Sequence, residues 1–325
     1  MTSALLVNRH RNASARDLPL VCVLSPPRSF STVVSAMVGQ HPELYGLAET
    51  HLLTVTTVGE WWRRAAEAQF PMTHGLLRSV AELVFGEQSE ESVRRAASLL
   101  RKRPNWSNAD VLALLADRVR PRTLVEKSPV VVFREEWMLH AAKTFPNARF
   151  VHLTRHPRGQ ALSVRKHIRK SLRSGQPMPG WLRNLGWSDG NGRVFSDFDP
   201  QRSWYVLNAN IDRFVSTLPP ERWLRVRGED ILRDPSSQLG EIASWLGIRA
   251  DAKAVEAMLH PEHSPFAGFG PRSARYGNDL FFLHDARLHP ERAGADNLDD
   301  PLEWRTGEAR FAPEVIAFAR RLGYD

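Results

Sequence analysis

At 325 residues the chain is long enough for one large domain or two small ones with ample core, and 42% hydrophobic with 25% charged residues describes a soluble globular protein. A single cysteine excludes internal disulfides and cysteine-based metal sites, and no apolar run reaches the length of a membrane span or forms a signal-peptide core, so the cytoplasm is the expected compartment. Forty-four Lys and Arg against 36 Asp and Glu give a net charge of +8, which favours anionic partners. Zinc-finger spacing, RNA-binding aromatic signatures and basic tails are missing, so nucleic acid is not expected among them.

Residues 1–18 read as a flexible leader, and 19–325 as one α/β domain. The first strand is Leu20–Leu24, short, continuous and apolar, as in a strand buried on both faces. A helix follows in which Val33, Val34, Met37 and Val38 recur at helical spacing, with Ser31 or Thr32 placed to cap it. Residues of about 60–120 read as a helical insertion broken at Gly86, Pro104 and Asn105. Further strands are expected at 122–126, 149–154 and 223–226, and helices at 202–218, 236–247 and 313–322. This alternation predicts a three-layer sandwich, a central parallel sheet flanked by helices. The stretch of about 174–200 is rich in Gly, Pro, Asp and Asn yet holds Trp181, Trp187 and Phe195, as a lid over an apolar ligand would. The basic run Arg165–Lys170 reads as a solvated helix face.

The junction of first strand and first helix, Ser25–Thr32, carries the most chemistry. A strand that runs into a turn opening a helix presents free backbone N–H groups and the positive end of the helix dipole, an anion site built from main chain. Arg28 and the hydroxyls of Ser29, Ser31 and Thr32 add donors at that point. The nucleotide-triphosphate loop GxxxxGK[ST] is a different arrangement: this turn has neither glycine and no Walker lysine. An ordinary turn with an incidental arginine is the bland alternative.

Three more cations follow expected strand ends, where ligands bind in open parallel sheets: Lys127 in Glu126-Lys127-Ser128-Pro129, Arg155 after Phe150–Thr154, and Arg227 after Trp223–Val226. Ser128 is placed to cap and Pro129 to begin a helix. Any one could be a surface cation, but four on one sheet edge converge on an anion with more than one charged centre.

In this order the segments resemble the sulfotransferases that use 3′-phosphoadenosine 5′-phosphosulfate (PAPS). PPRSFST is similar to the family's 5′-phosphosulfate loop, and the strand ending in Arg155 with Ser163 eight residues later resembles its 3′-phosphate element. EKSP at 126–129 and RVRGEDILRDP at 225–235 resemble two further family segments. Two positions depart from the pattern: Phe30 stands where the family usually has Gly, and Gly228 where it usually has Tyr. The resemblance implies a P-loop-like fold, PAPS as donor leaving as adenosine 3′,5′-bisphosphate, and no metal. It implies Arg28, Ser29, Phe30, Ser31 and Thr32 around the 5′ group, Lys127 on the bridging oxygen, and Arg155 and Ser163 on the 3′-phosphate. Arg227 joins the nucleotide site, and Arg272 with Arg275 resembles the C-terminal loop that closes on the 3′-phosphate.

The resemblance also points to Glu49 as catalytic base, since the tyrosylprotein branch carries a glutamate twenty-one residues after the loop arginine. The residues agree, because a carboxylate beside the apolar Leu47-Ala48 wall is partly desolvated; the alternative is that Glu49 simply begins a helix. His51 is the rival base, or orients the acceptor. His260 and His263 form an isolated pair read as a loop feature. The long loop's aromatics, with Trp61, Trp62 and Phe70, favour an apolar natural-product, polyketide or lipid-like alcohol or phenol, free or on a carrier protein. A P-loop-type kinase and a non-catalytic nucleotide-binding or carrier-docking module are the competing readings.

Overall fold

The computed structural model describes residues 17–68, 71–173, 199–294, 297–305 and 309–325. Five strands, β1 Leu20–Leu24, β2 Leu44–Gly46, β3 Thr123–Glu126, β4 Arg149–Thr154 and β5 Trp223–Arg227, form one sheet in the order β2-β3-β1-β4-β5. Every pairing is parallel; Cys22, for example, lies opposite Glu126 on one side and Phe150 on the other.

Alternation along the strands divides the interior into two cores. Leu20, Cys22, Leu24, Leu124 and Phe150 face one, and Val21, Val23, Val125, Val151 and Leu153 face the other. Over the second core lie α1 Ser31–Gly39 and later helices through Leu239, Ile242 and Met258. The first core is covered by α2 Val58–Glu67, α3 His74–Phe85, α4 Glu90–Arg101 and α5 Asn108–Val119, which fall where the sequence predicts helices over about 60–120, and by α6 Glu135–Thr144 after β3. Both faces of the central strand β1 are thus buried, which is why it reads as a continuous apolar run. Two further helices matter to the site: α7 Pro157–Arg173, after β4, and α8 Pro200–Val215.

A third cluster, around Trp204, Phe318 and Leu322, seats the C-terminus. Tyr324 ties it to the sheet: its hydroxyl shares a 2.9 Å hydrogen bond with Thr154 and donates to Glu229 at 3.1 Å. Leu18, at the end of the expected leader, is buried in the first core, so the ordered domain includes it. Residues 1–16 and 174–198, hence the expected lid with Trp181, Trp187 and Phe195, lie outside the described residues, as does Phe70. Among the described residues no helix is long and apolar enough to cross a membrane.

Candidate active site

Parallel strands place all their exits on one edge. Arg28 follows β1, residues 47–49 follow β2, Lys127 follows β3 and Arg155 follows β4. The strand order reverses around β1, so these exits surround the crevice where such sheets take ligands.

The turn after β1 is shaped by left-handed backbone at two non-glycine residues, Arg28 (φ 71°) and Phe30 (φ 61°). Phe30, not a serine or threonine, occupies the N-cap of α1, and no side chain caps the helix, contrary to the role expected for Ser31 or Thr32. The first N–H groups of α1 are therefore not taken up by a side-chain cap. Ser29 and Ser31 are buried beneath the turn, and Gln160 of α7 steadies it by donating to the Pro27 carbonyl at 2.9 Å.

Lys127 is 1% exposed and its ammonium reaches two partners, the Thr32 hydroxyl at 2.9 Å and the Glu49 carboxylate. Burying an ammonium is tolerated only with such pairing. One cation therefore joins the start of α1 to the carboxylate after β2. Glu49 itself lies in irregular chain, not at a helix start as in the alternative reading. His51 approaches its other oxygen, Nε2 to Oε2 being 3.9 Å. Burial pushes the imidazole down to about 4; Glu49 opposes that shift and Lys127 adds to it, so His51 is neutral near pH 7.

A buried network positions this pair. Glu126 accepts from the Thr50 hydroxyl at 2.9 Å and from the Ser128 hydroxyl, while Ser128 Oγ accepts the His51 N–H at 2.9 Å. Ser128 thus does not cap the short 3₁₀ helix Pro129–Phe133, as the sequence suggested; its hydroxyl is spent on holding His51, whose φ is 56°. Burial raises the Glu126 carboxyl above its usual range, against its hydrogen bonds to Ser128 and Thr50. Trp61, expected to face the acceptor, is instead fully buried and donates its indole N–H to the Thr50 carbonyl at 3.0 Å. Trp62 packs edge-on against Trp61 and beneath Arg101.

Arg28 points between two residues far along the chain. Its Nε donates to Ser163 on α7 at 3.2 Å, and Nη1 is bonded to the Asp279 carboxylate. Arg155 joins the group by donating from Nη1 to the Arg28 carbonyl at 2.8 Å, with its guanidinium 4.0 Å above the Phe30 ring. Arg227 is bonded to Asp230 at 2.6 Å and to the Gly323 carbonyl. Arg272 and Arg275 are exposed, and Arg275 covers Phe269. The expected C-terminal loop does reach the site, through other residues: the Gly277 carbonyl accepts the Glu49 N–H at 2.8 Å, and Asp279 meets Arg28.

Those contacts depend on two glycines. A Cβ on Gly75 would lie 2.0 Å from the Glu49 carbonyl oxygen, and one on Gly277, whose φ is 112°, 2.8 Å from Gly75 Cα. Sequence reasoning missed Gly75, Gly277 and Asp279, because close approach between distant segments leaves no local signal. His260 and His263 stack at 4.9 Å, with His260 bonded to Glu256 and Glu262, an exposed ion-pair cluster.

The sulfotransferase family profile matches residues 19–252, most of the chain. The chain belongs to the sulfotransferase family. That assignment sets aside the kinase and non-catalytic readings. A search of curated proteins returns no match. Among solved structures, the chain is similar to the sulfotransferase domain from the curacin biosynthetic pathway, at 23% identity and a TM-score of 0.72, covering 95% of this chain and 99% of that one. It is also similar to the sulfotransferase domain of the Synechococcus PCC 7002 olefin synthase, at 25% identity and a TM-score of 0.70, covering 95% and 96%. The sulfotransferase fold thus extends beyond the matched segment to the C-terminal residues that carry Gly277 and Asp279.

Proposed function

We propose that this sulfotransferase moves a sulfuryl group from PAPS to a hydroxyl of a small, apolar acceptor, with Glu49 as general base and without a metal. The observation that carries this reading is Lys127, a buried ammonium bonded both to Thr32 at the start of α1 and to Glu49. It links an anion-binding helix start to a carboxylate suited to deprotonating an alcohol.

The chemistry follows from the residues. Glu49 takes the acceptor's hydroxyl proton as the acceptor oxygen bonds to sulfur. The bond from sulfur to the 5′-phosphate oxygen breaks, and its electron pair stays on that oxygen. Negative charge therefore grows at the turn, where Arg28 and the α1 N–H groups stabilise it. Lys127 supplies a second cation there and loosens its hold on Glu49 as that carboxylate is neutralised. A sulfuryl group carries less charge than a phosphoryl group, so side-chain cations and backbone donors suffice. Arg155 and Ser163 recognise the 3′-phosphate. Arg227, at the end of β5, contributes at the edge of the nucleotide site.

The two similar sulfotransferase domains come from the curacin pathway and from an olefin synthase. This supports an acceptor of the natural-product, polyketide or lipid-like class, taken free or on a carrier protein. Calorimetry with adenosine 3′,5′-bisphosphate against ATP and magnesium tests the donor; tight metal-independent binding of the bisphosphate is expected, and a preference for ATP would sink the reading. Labelled PAPS in cell extracts, followed by mass spectrometry, tests the acceptor. Labelling confined to polysaccharide or protein tyrosine would refute the apolar alcohol.

A further inference from the structure

Phe30 and Gly228 are the two positions that depart from the family pattern, and in the fold they touch. A Cβ on Gly228 would lie 2.6 Å from Phe30 Cδ2 and 3.4 Å from Cε2. No left-handed backbone at Gly228 calls for glycine there. The space does: with any other residue at 228 the ring would have to move. The ring in turn stands on a residue whose φ of 61° disfavours a side chain, an arrangement that surrounding contacts must offset.

We propose that Phe30 is a positioning residue for Arg155, holding its guanidinium for the donor's 3′-phosphate and so setting the preference for a 3′-phosphorylated nucleotide. Arg155 Cζ lies 4.0 Å from the ring centroid, close enough for a strong cation–π contact. A second restraint is the 2.8 Å hydrogen bond from Arg155 Nη1 to the Arg28 carbonyl, two residues before Phe30 in the same turn. Ring and carbonyl together fix both the plane and the direction of the guanidinium. The turn therefore carries both halves of donor recognition: its backbone and Arg28 face the 5′ group, and its Phe30 ring aims the arginine of the 3′ group. A glycine at position 30 would take the ring away from Arg155.

This inference rests on the donor reading above, and one experiment separates the two. Calorimetry measures the ratio of affinities for adenosine 3′,5′-bisphosphate and adenosine 5′-monophosphate. Wild type without a preference for the bisphosphate would overturn the donor reading itself. Given that preference, Phe30→Leu keeps a non-glycine side chain of comparable bulk, and should lower the ratio about three- to thirtyfold, the range of a cation–π contact. Monophosphate affinity should fall much less than bisphosphate affinity, and the melting temperature should stay near wild type. Phe30→Tyr should restore the ratio, and in an Arg155→Ala background Phe30→Leu should change nothing further. Gly228→Ala, by displacing the ring, should act in the same direction as Phe30→Leu. An unchanged ratio in Phe30→Leu overturns the proposal, as does an equal effect with and without Arg155.

Discussion

The guanidinium of Arg28 is bonded to the carboxylate of Asp279, 251 residues further along the chain. Burial alone would raise the Asp279 carboxyl; the charge and hydrogen bond of Arg28, with Lys127 nearby, outweigh that and hold it below the usual range. Asp279 also accepts the Phe281 N–H at 3.0 Å, capping the short helix Leu280–His284, and the Phe281 ring lies 5.3 Å from the Arg28 guanidinium. A segment near the C-terminus therefore places an anion on the cation assigned to the donor's 5′ group.

A donor anion binding to Arg28 has to compete with that carboxylate. Asp279→Asn keeps the cap, since Asn is as good an N-cap as Asp, and removes the charge. Affinity for adenosine 3′,5′-bisphosphate should rise about tenfold, the scale of one hydrogen bond to a charged group at a partly exposed site. Titration calorimetry checks this. A drop in affinity would mean that Asp279 instead orients Arg28 for its ligand.

Glu49→Gln keeps the shape of the side chain and a hydrogen-bonding oxygen for Lys127 but cannot take a proton. Nucleotide binding should be retained while kcat falls ~10²–10⁴-fold. Arg28→Ala should lower kcat ~10²–10³-fold and weaken donor binding as well. His51 is neutral near pH 7 and weakly basic, so His51→Ala should lower turnover less than Glu49→Gln does. Steady-state kinetics on the three variants separate the roles; an active Glu49→Gln beside a dead His51→Ala would move the base to His51.

Gly75 tests how the site is held. A helical Gly→Ala change ordinarily stabilises by about 1 kcal/mol. Here the added Cβ would sit 2.0 Å from the Glu49 carbonyl oxygen, so the backbone carrying the proposed base must shift. Gly75→Ala should therefore destabilise by roughly 1–3 kcal/mol, as overpacking does. It should lower kcat more than it changes affinity for the bisphosphate, because α1 does not touch Gly75 and Arg28 is reached only indirectly, through the Gly277–Asp279 segment. Thermal melts, kinetics and calorimetry on the same preparation read all three quantities.

What the sequence disclosed and what it hid follow from how local each signal is. β1, β3, β4 and β5 announce themselves as apolar runs, and Arg28, Lys127 and Arg155 follow as strand exits, so the cationic side of the site was legible. β2 is three residues, Leu44–Gly46, too short for a periodic signal, yet it delivers Glu49 to the edge. Ser128 and Thr32 match capping positions but their hydroxyls serve Glu126 with His51 and Lys127, because buried partners outrank local propensity. Trp61 looked like an acceptor-facing aromatic and is core, since nothing in spacing alone tells a wall from an interior. Asp279 and Gly277 act through contacts with chain more than two hundred residues away, and Gly75 through a close approach to the separate Glu49 segment, which only the folded topology creates.

Acid sensitivity should trace in large part to His152, in the middle of β4 and fully buried. Its Nδ1 accepts from Arg225 Nε at 3.3 Å, so Nε2 carries the proton and donates to Asn208 Oδ1 at 3.2 Å. Both bonds need a neutral ring, and burial with the Arg225 charge pushes the imidazole down to about 3. In the unfolded chain the same histidine titrates near 6.5. Between these values the unfolded state binds a proton that the native state refuses. Stability from this residue is therefore fully present above about pH 6.5 and is lost as pH falls, with a slope of up to about 1.4 kcal/mol per pH unit. His152→Gln still accepts and donates but cannot be charged. Its stability at pH 7.5 should be lower than wild type, because a buried packed ring is lost, and its decline between pH 6.5 and 4 should be shallower. Urea unfolding across that range measures both, and parallel slopes for the two proteins would locate the acid sensitivity in other buried groups, such as His51 or His156.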